Sequence, residues 1–138
     1  MILPRTAIYA LRTMAVLANL APGESIRSRE LASSAGVPEH YVSKVMRRLV
    51  VAGLVDSQKG HGGGFRLSRA PDKIEFESIL RAIDVELETG RCVFHYRACD
   101  AHSPCPLHES WAVLQEALKR WAAGTTLEST RATPLPPV

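Results

Sequence analysis

No apolar run in the 138-residue chain is long enough to cross a bilayer, because charged residues interrupt every hydrophobic stretch. The first residues, MILPRTAIYALR, place Pro4 and Arg5 early and offer neither an apolar h-region nor a small-residue cleavage site. No signal peptide is expected, and the expected compartment is the cytoplasm, where thiols stay reduced. Cysteine is scarce, with Cys92, Cys99 and Cys105 the only three. An odd number in a reducing compartment argues against a disulfide framework and for metal binding or redox sensing. Charge is nearly balanced: 17 Lys and Arg against 14 Asp and Glu leave +3, too little on its own to argue for nucleic acid. The P-loop and dinucleotide fingerprints are missing, as are internal repeats. No nucleophile–base constellation is visible either, so an enzyme is not expected.

What is present is enough for a core. Hydrophobic content of 46% excludes global disorder, and the length fits one domain or a small domain with an appended dimerisation element. Ile8, Leu11, Met14, Leu17 and Ala18 recur at helical spacing, predicting a first helix over 5–20 that ends at Ala-Pro-Gly. Ser28 is placed to cap a short second helix over 29–34, and Ala35-Gly36-Val37 suits a tight helix–helix corner. Pro38 fits the first position of a third helix, with Val42, Val45, Met46 and Leu49 as its buried stripe. A strand over 54–58, the turn Lys59-Gly60-His61-Gly62-Gly63-Gly64 and a returning strand over 65–68 make a wing. A linker at 70–73 and an amphipathic helix over 74–83 follow. Residues 86–106 read as irregular, and 107–123 as a helix with Trp111, Leu114, Leu118 and Trp121 on one face.

Charge distribution says more than net charge. Arg27, Arg29, Lys44, Arg47, Arg48, Lys59, Arg66 and Arg69 make residues 27–69 a cationic block. Helix–turn–helix geometry would turn Pro38, Glu39, His40, Tyr41, Ser43 and Lys44 toward a major groove. Ser43 and Lys44 can bond base edges, Lys44 favouring guanine, while Tyr41, Arg47 and Arg48 would sit on phosphates. Ser28, at the head of the second helix, is a further candidate contact. Four glycines in the six turn positions let the wing backbone approach a phosphate, so Lys59, His61, Gly62 and Gly63 are the wing candidates. A solvated basic surface is the plain alternative, weakened by the wing that directly follows the helix.

Cys92, Cys99 and Cys105 with His108 form C-x6-C-x5-C-x2-H, a ligand set that could complete one metal centre. Zinc accepts three cysteines and a histidine, but the C-x2-4-C knuckles of common structural zinc sites are absent. The wide spacing suits an iron–sulfur cluster held on a loop, with one non-cysteine ligand. Ligand-free redox thiols are a third reading. His95 and His102 could also serve as fourth ligand. His108 is favoured because Pro106 begins a helix that would hold its imidazole.

These segments together resemble the Rrf-two family of winged-helix regulators, which includes IscR-like and NsrR-like iron–sulfur sensors. The likeness runs from Tyr9-Ala10-Leu11-Arg12 through Val37-Pro38-Glu39-His40-Tyr41-Val42, Ala52-Gly53-Leu54-Val55 and the wing. It continues to the three cysteines and Cys105-Pro106-Leu107-His108, and ends near Thr126-Leu127. The resemblance implies a homodimer on palindromic promoter DNA, with a long C-terminal helix crossing to the partner. It also implies a 2Fe–2S or 4Fe–4S cluster on Cys92, Cys99 and Cys105. His108 stands where the IscR-like fourth ligand falls. NsrR-like members can take an N-terminal acidic residue from the partner instead, and residues 1–20 here contain no Asp or Glu. Ser43-Lys44 stand where IscR-like members have Glu-Gln, and Lys59 where they have Arg, so that operator preference does not transfer.

The expectation is a mainly α, winged helix–turn–helix regulator with a two-stranded wing and a long C-terminal dimerisation helix. Its expected parts are a DNA-binding region (1–70), a connecting linker and helix (71–90), a cluster loop (91–106), the dimerisation helix (107–124) and a flexible tail (125–138). Dimerisation through 107–123 and the first helix would cover the apolar stripe and space two recognition helices about 34 Å apart. The expected function is a repressor whose operator binding is controlled by a cluster that senses iron, redox state or nitric oxide. A 2Fe–2S form is favoured over 4Fe–4S, and it is expected to be lost in air. The alternatives are a cluster-bearing redox carrier, which would need no basic helix or wing, and a zinc-stabilised regulator without a sensing role.

Overall fold

The computed structural model describes residues 3–87, 90–94, 98–131 and 133–137. Apolar side chains at three- and four-residue spacing make Arg5–Ala18 a helix, α1, which buries Ala7, Ala10, Met14, Leu17 and Ala18. Against it pack α2 (Ser28–Ala35) and α3 (Glu39–Val51). The corner between them is set by Gly36, whose φ of 64° lies in the left-handed region that costs glycine nothing. Val37 N–H then returns to Ala32 O at 3.0 Å, and Arg12 Nε of α1 donates to Ala35 O at 2.6 Å. The corner is thus tied to α1 from outside its own helices.

The helix starts differ slightly from expectation. Ser28 is the first residue of α2 and not its cap: Arg27 occupies that position with extended backbone, and no side chain bonds the end of the helix. Pro38 precedes α3 as its cap, and its carbonyl accepts Tyr41 N–H at 2.9 Å. The buried stripe of α3 is Val42, Val45, Met46 and Leu49, as the spacing predicts.

The wing is an antiparallel pair, β1 (Val55–Gln58) and β2 (Gly64–Leu67), in the register Val55↔Leu67 to Gln58↔Gly64. Ile26, just before α2, adds a further rung by exchanging two backbone hydrogen bonds with Phe65. A 3-10 turn (Pro71–Lys73) leads to α4 (Phe76–Ala82), and α5 spans His108–Gly124.

The chain after α5 was expected to be loose from residue 125. Instead Thr126 bridges Glu75, Leu127 N–H bonds Ile74 O at 3.0 Å, and Leu127 is wholly buried in a 3-10 turn (Leu127–Thr130). A single large apolar side chain in a polar stretch is enough to bring the segment into the core. By contrast, Ala122 is the one fully buried residue of α5. Val113, Leu114 and Trp121 stand in solvent at 71%, 52% and 40% exposure, so its apolar surface is uncovered in a single chain. No helix among the described residues is long and apolar enough to cross a membrane.

Candidate DNA interface and cysteine centre

One face of the molecule carries the exposed side of α3 and the wing. Pro38, Glu39, His40, Ser43, Lys44, Arg47 and Arg48 are all exposed. Tyr41 is half-buried, its ring 5.1 Å from that of Tyr9 in an edge-on pair and 4.7 Å from the His40 ring. That packing fixes the first turn of α3 against α1. Arg48 reaches back instead of outward: Nη1 donates to Ile83 O at 2.9 Å and lies 3.6 Å from the Asp84 carboxylate. Both side chains of that ion pair are largely exposed, so the carbonyl bond is the firmer attachment. Asp84 is held at φ 59°, a left-handed conformation at the end of α4 that glycine usually fills.

At the wing, Lys59, His61 and Gly62 are exposed, whereas Gly63 is buried. A side chain at Gly63 would strike the carbonyl oxygens of Gln58 and Gly60, so this glycine lets the turn close. Gly63 N–H closes that turn on Gly60 O at 3.0 Å. Ser28 is half-buried at the start of α2. The sequence reading passed over three contacts here: the Ile26 rung, the Arg12 tie, and a bond from Arg27 Nη2 to Gly60 O at 2.7 Å. No periodicity signals an arginine that bonds a carbonyl 33 residues away.

The cysteines lie in the segment that precedes α5. Cys99 N–H bonds Gly90 O at 2.7 Å and Arg91 pairs with Ala98, so the loop closes on itself at its base. Trp111 Nε1 of α5 donates to Arg91 O at 3.0 Å. Trp111, read from spacing as part of an apolar stripe, thus also anchors the cysteine loop to α5.

Cys92 and Cys105 are buried and Cys99 is partly exposed. Cys99 Sγ lies 3.2 Å from His108 Nδ1. The Cys105 thiol pKa is pushed above the ordinary thiol value, first by burial and then by the neighbouring Cys92 and Cys99 thiols, with the backbone at Leu107 acting the other way. Cys99 thus meets His108, and both Cys92 and Cys99 lie close enough to Cys105 to raise its pKa. His102 sits apart in a turn where its backbone N–H bonds Asp100, and His95 lies outside the described residues.

Among the described residues, no three His, Cys, Asp or Glu side chains close around one ion. The donor chemistry nonetheless fits an iron–sulfur group, being three soft sulfurs and one imidazole.

The comparisons with known proteins show the family of this chain. The sequence profile of the Rrf2 family, described as iron-dependent transcriptional regulators, matches residues 3–131. An HTH-type transcriptional regulator of Aquifex aeolicus is 32% identical over 130 residues, covering 93% of this chain and 90% of that protein. The regulator IscR of Aliivibrio salmonicida is 27% identical over 119 residues, covering 86% of this chain and 70% of that protein. In three dimensions the chain is similar to CymR, the global cysteine regulator of B. subtilis, with a TM-score of 0.76 and 26% identity. That likeness covers 91% of this chain and 92% of the other.

Proposed function

The chain belongs to the Rrf2 family of iron-dependent transcriptional regulators, and we propose that its hold on promoter DNA is controlled by an iron–sulfur cluster on Cys92, Cys99, Cys105 and His108. The observation that carries this reading is the 3.2 Å approach of Cys99 Sγ to His108 Nδ1, which joins the cysteine loop to the first residue of α5. A 2Fe–2S group is the favoured form. When bound, such a group supplies an iron-, redox- or nitric-oxide-sensitive link between its ligands.

The protein's own residues do the rest. Trp111 and His108 hold the loop on α5, and α5 carries the uncovered apolar surface through which two copies would pair. Pairing sets the spacing of two winged modules, and Ser43 and Lys44 of each would read bases in a palindromic operator while Arg47, Lys59 and His61 hold phosphates. Moving the loop relative to α5 alters that spacing. A coupling of about 1–3 kcal/mol is enough to change affinity about 5–150-fold. The protein is proposed to act in the cytoplasm as a repressor and to catalyse no reaction.

The test compares anaerobically reconstituted, air-exposed and Cys99→Ala protein for binding to a duplex selected by the reconstituted form. Distinct affinities support a switch, and equal affinities remove it while leaving DNA binding in place. The partial exposure of Cys99 favours one second reading, a thiol-based sensor without metal. Iron-free protein whose DNA affinity still responds to a thiol oxidant would select that reading.

A further inference from the structure

A glycine-rich wing tip has a conformational problem. Gly60, Gly62, Gly63 and Gly64 allow the backbone many states, and each must be given up before Lys59 and His61 can meet DNA in a defined place. The wing solves part of this one rung below its tip. There the backbone of Phe65 pairs with Ile26 on both sides, at 3.0 and 2.8 Å. Gly64 permits that approach, since an added Cβ would meet Ile26 O at 2.5 Å.

The next residue after Ile26 is Arg27. Its guanidinium crosses to the far end of the wing, where Nη2 donates to Gly60 O at 2.7 Å. That same oxygen accepts the Gly63 N–H that closes the turn. One carbonyl at the tip is therefore held by two donors, one from within the turn and one from the residue that caps α2. Gly60 lies between Lys59 and His61, both exposed. Ile26 and Arg27 thus give the wing two attachments to the head of α2, one a rung below its tip and one at the tip itself.

We infer that Arg27 is a positioning residue for DNA binding: it fixes the wing tip by bonding the Gly60 carbonyl, and so presents Lys59 and His61 to the duplex in one orientation. Its contribution to affinity passes through the wing and not through a phosphate contact of its own. The inference rests on the DNA-binding reading above.

The experiment is a mutant cycle on the full-length protein, using a duplex that the wild-type protein selects from a random pool. Arg27→Ala, the double variant Lys59→Ala/His61→Ala, and the triple variant are compared by titration, with thermal midpoints measured in parallel. Arg27→Ala is expected to bind about fivefold more weakly, within the range that one hydrogen bond of ordinary strength can return. The triple variant is expected to bind no more weakly than the double variant, because there is no longer a wing contact to position. The slope of log affinity against log salt should be the same in Arg27→Ala as in wild type.

Losses that multiply in the triple variant would overturn the inference, as would a salt slope flattened by about one, since both mean that Arg27 itself contacts phosphate. Wild-type affinity in Arg27→Ala, or in the double variant, would overturn it too. Should Arg27→Ala not fold, Arg27→Met keeps the aliphatic stem and takes its place in the cycle. A wild-type protein that selects no duplex at all contradicts the DNA-binding reading, an outcome distinct from each of these.

Discussion

Cys99 and His108 meet at 3.2 Å, although one lies on a loop and the other opens a helix. The contact closes the cysteine segment onto α5 at its C-terminal end, and Trp111 closes it at the start through Arg91 O. The cysteine loop therefore cannot move without pulling on α5.

Ligand substitutions should follow the pairing. Cys99→Ala removes one member of the Cys99–His108 pair. Protein reconstituted without oxygen is expected to retain about a tenth or less of the wild-type iron and sulfide, in line with the affinity lost when a metal site is disturbed. His108→Cys supplies a fourth thiolate and is expected to keep the iron while shifting the visible absorption. Iron and acid-labile sulfide analysis beside the spectrum checks both.

The buried and exposed apolar residues should part cleanly in stability. Leu127 is wholly buried, and Leu127→Ala is expected to cost about 2–5 kcal/mol in urea unfolding. Val51 is 83% exposed, and Val51→Ala should stay within about 0.5 kcal/mol of wild type.

Association should depend on α5. Leu114 is half exposed in the single chain, and a charge placed there would have to be buried if two copies cover that surface. Leu114→Asp is expected to sediment as a monomer with unchanged helical circular dichroism, and to bind palindromic DNA far more weakly than wild type.

The wing should not tolerate a side chain at Gly64. With φ at 141° and Ile26 O only 2.5 Å from an added Cβ, Gly64→Ala must displace the Ile26–Phe65 rung. A loss of about 1–3 kcal/mol is expected in thermal or urea unfolding. Faster exchange of the Phe65 amide would locate the damage at the rung.

Much of this architecture is legible from local pattern. Gly36 at a corner, the Val42–Val45–Leu49 spacing and the glycines between two short strands each have a mechanism that acts within a few residues. The missed features are long-range. Arg27 reads as one cation among several, yet bonds a carbonyl in the wing. Trp111 fits an apolar stripe, yet its ring N–H serves Arg91. Leu127, by contrast, is the residue of the polar tail that is expected from its side chain to pack, and Ile74 and Glu75 give it a place to dock. The ligand types were readable from the C-x6-C-x5-C-x2-H string, but the approach of Cys99 to His108 needed three dimensions.

The most direct measurement is the DNA affinity of one anaerobic preparation before and after its iron is removed by a chelator, followed by absorption and iron analysis. The expected result is a coloured protein with about two irons per chain, as a 2Fe–2S group requires, whose affinity shifts at least fivefold when the colour is lost. Protein that takes up no iron under any reconstitution, or that binds DNA identically with and without it, would contradict control by a cluster.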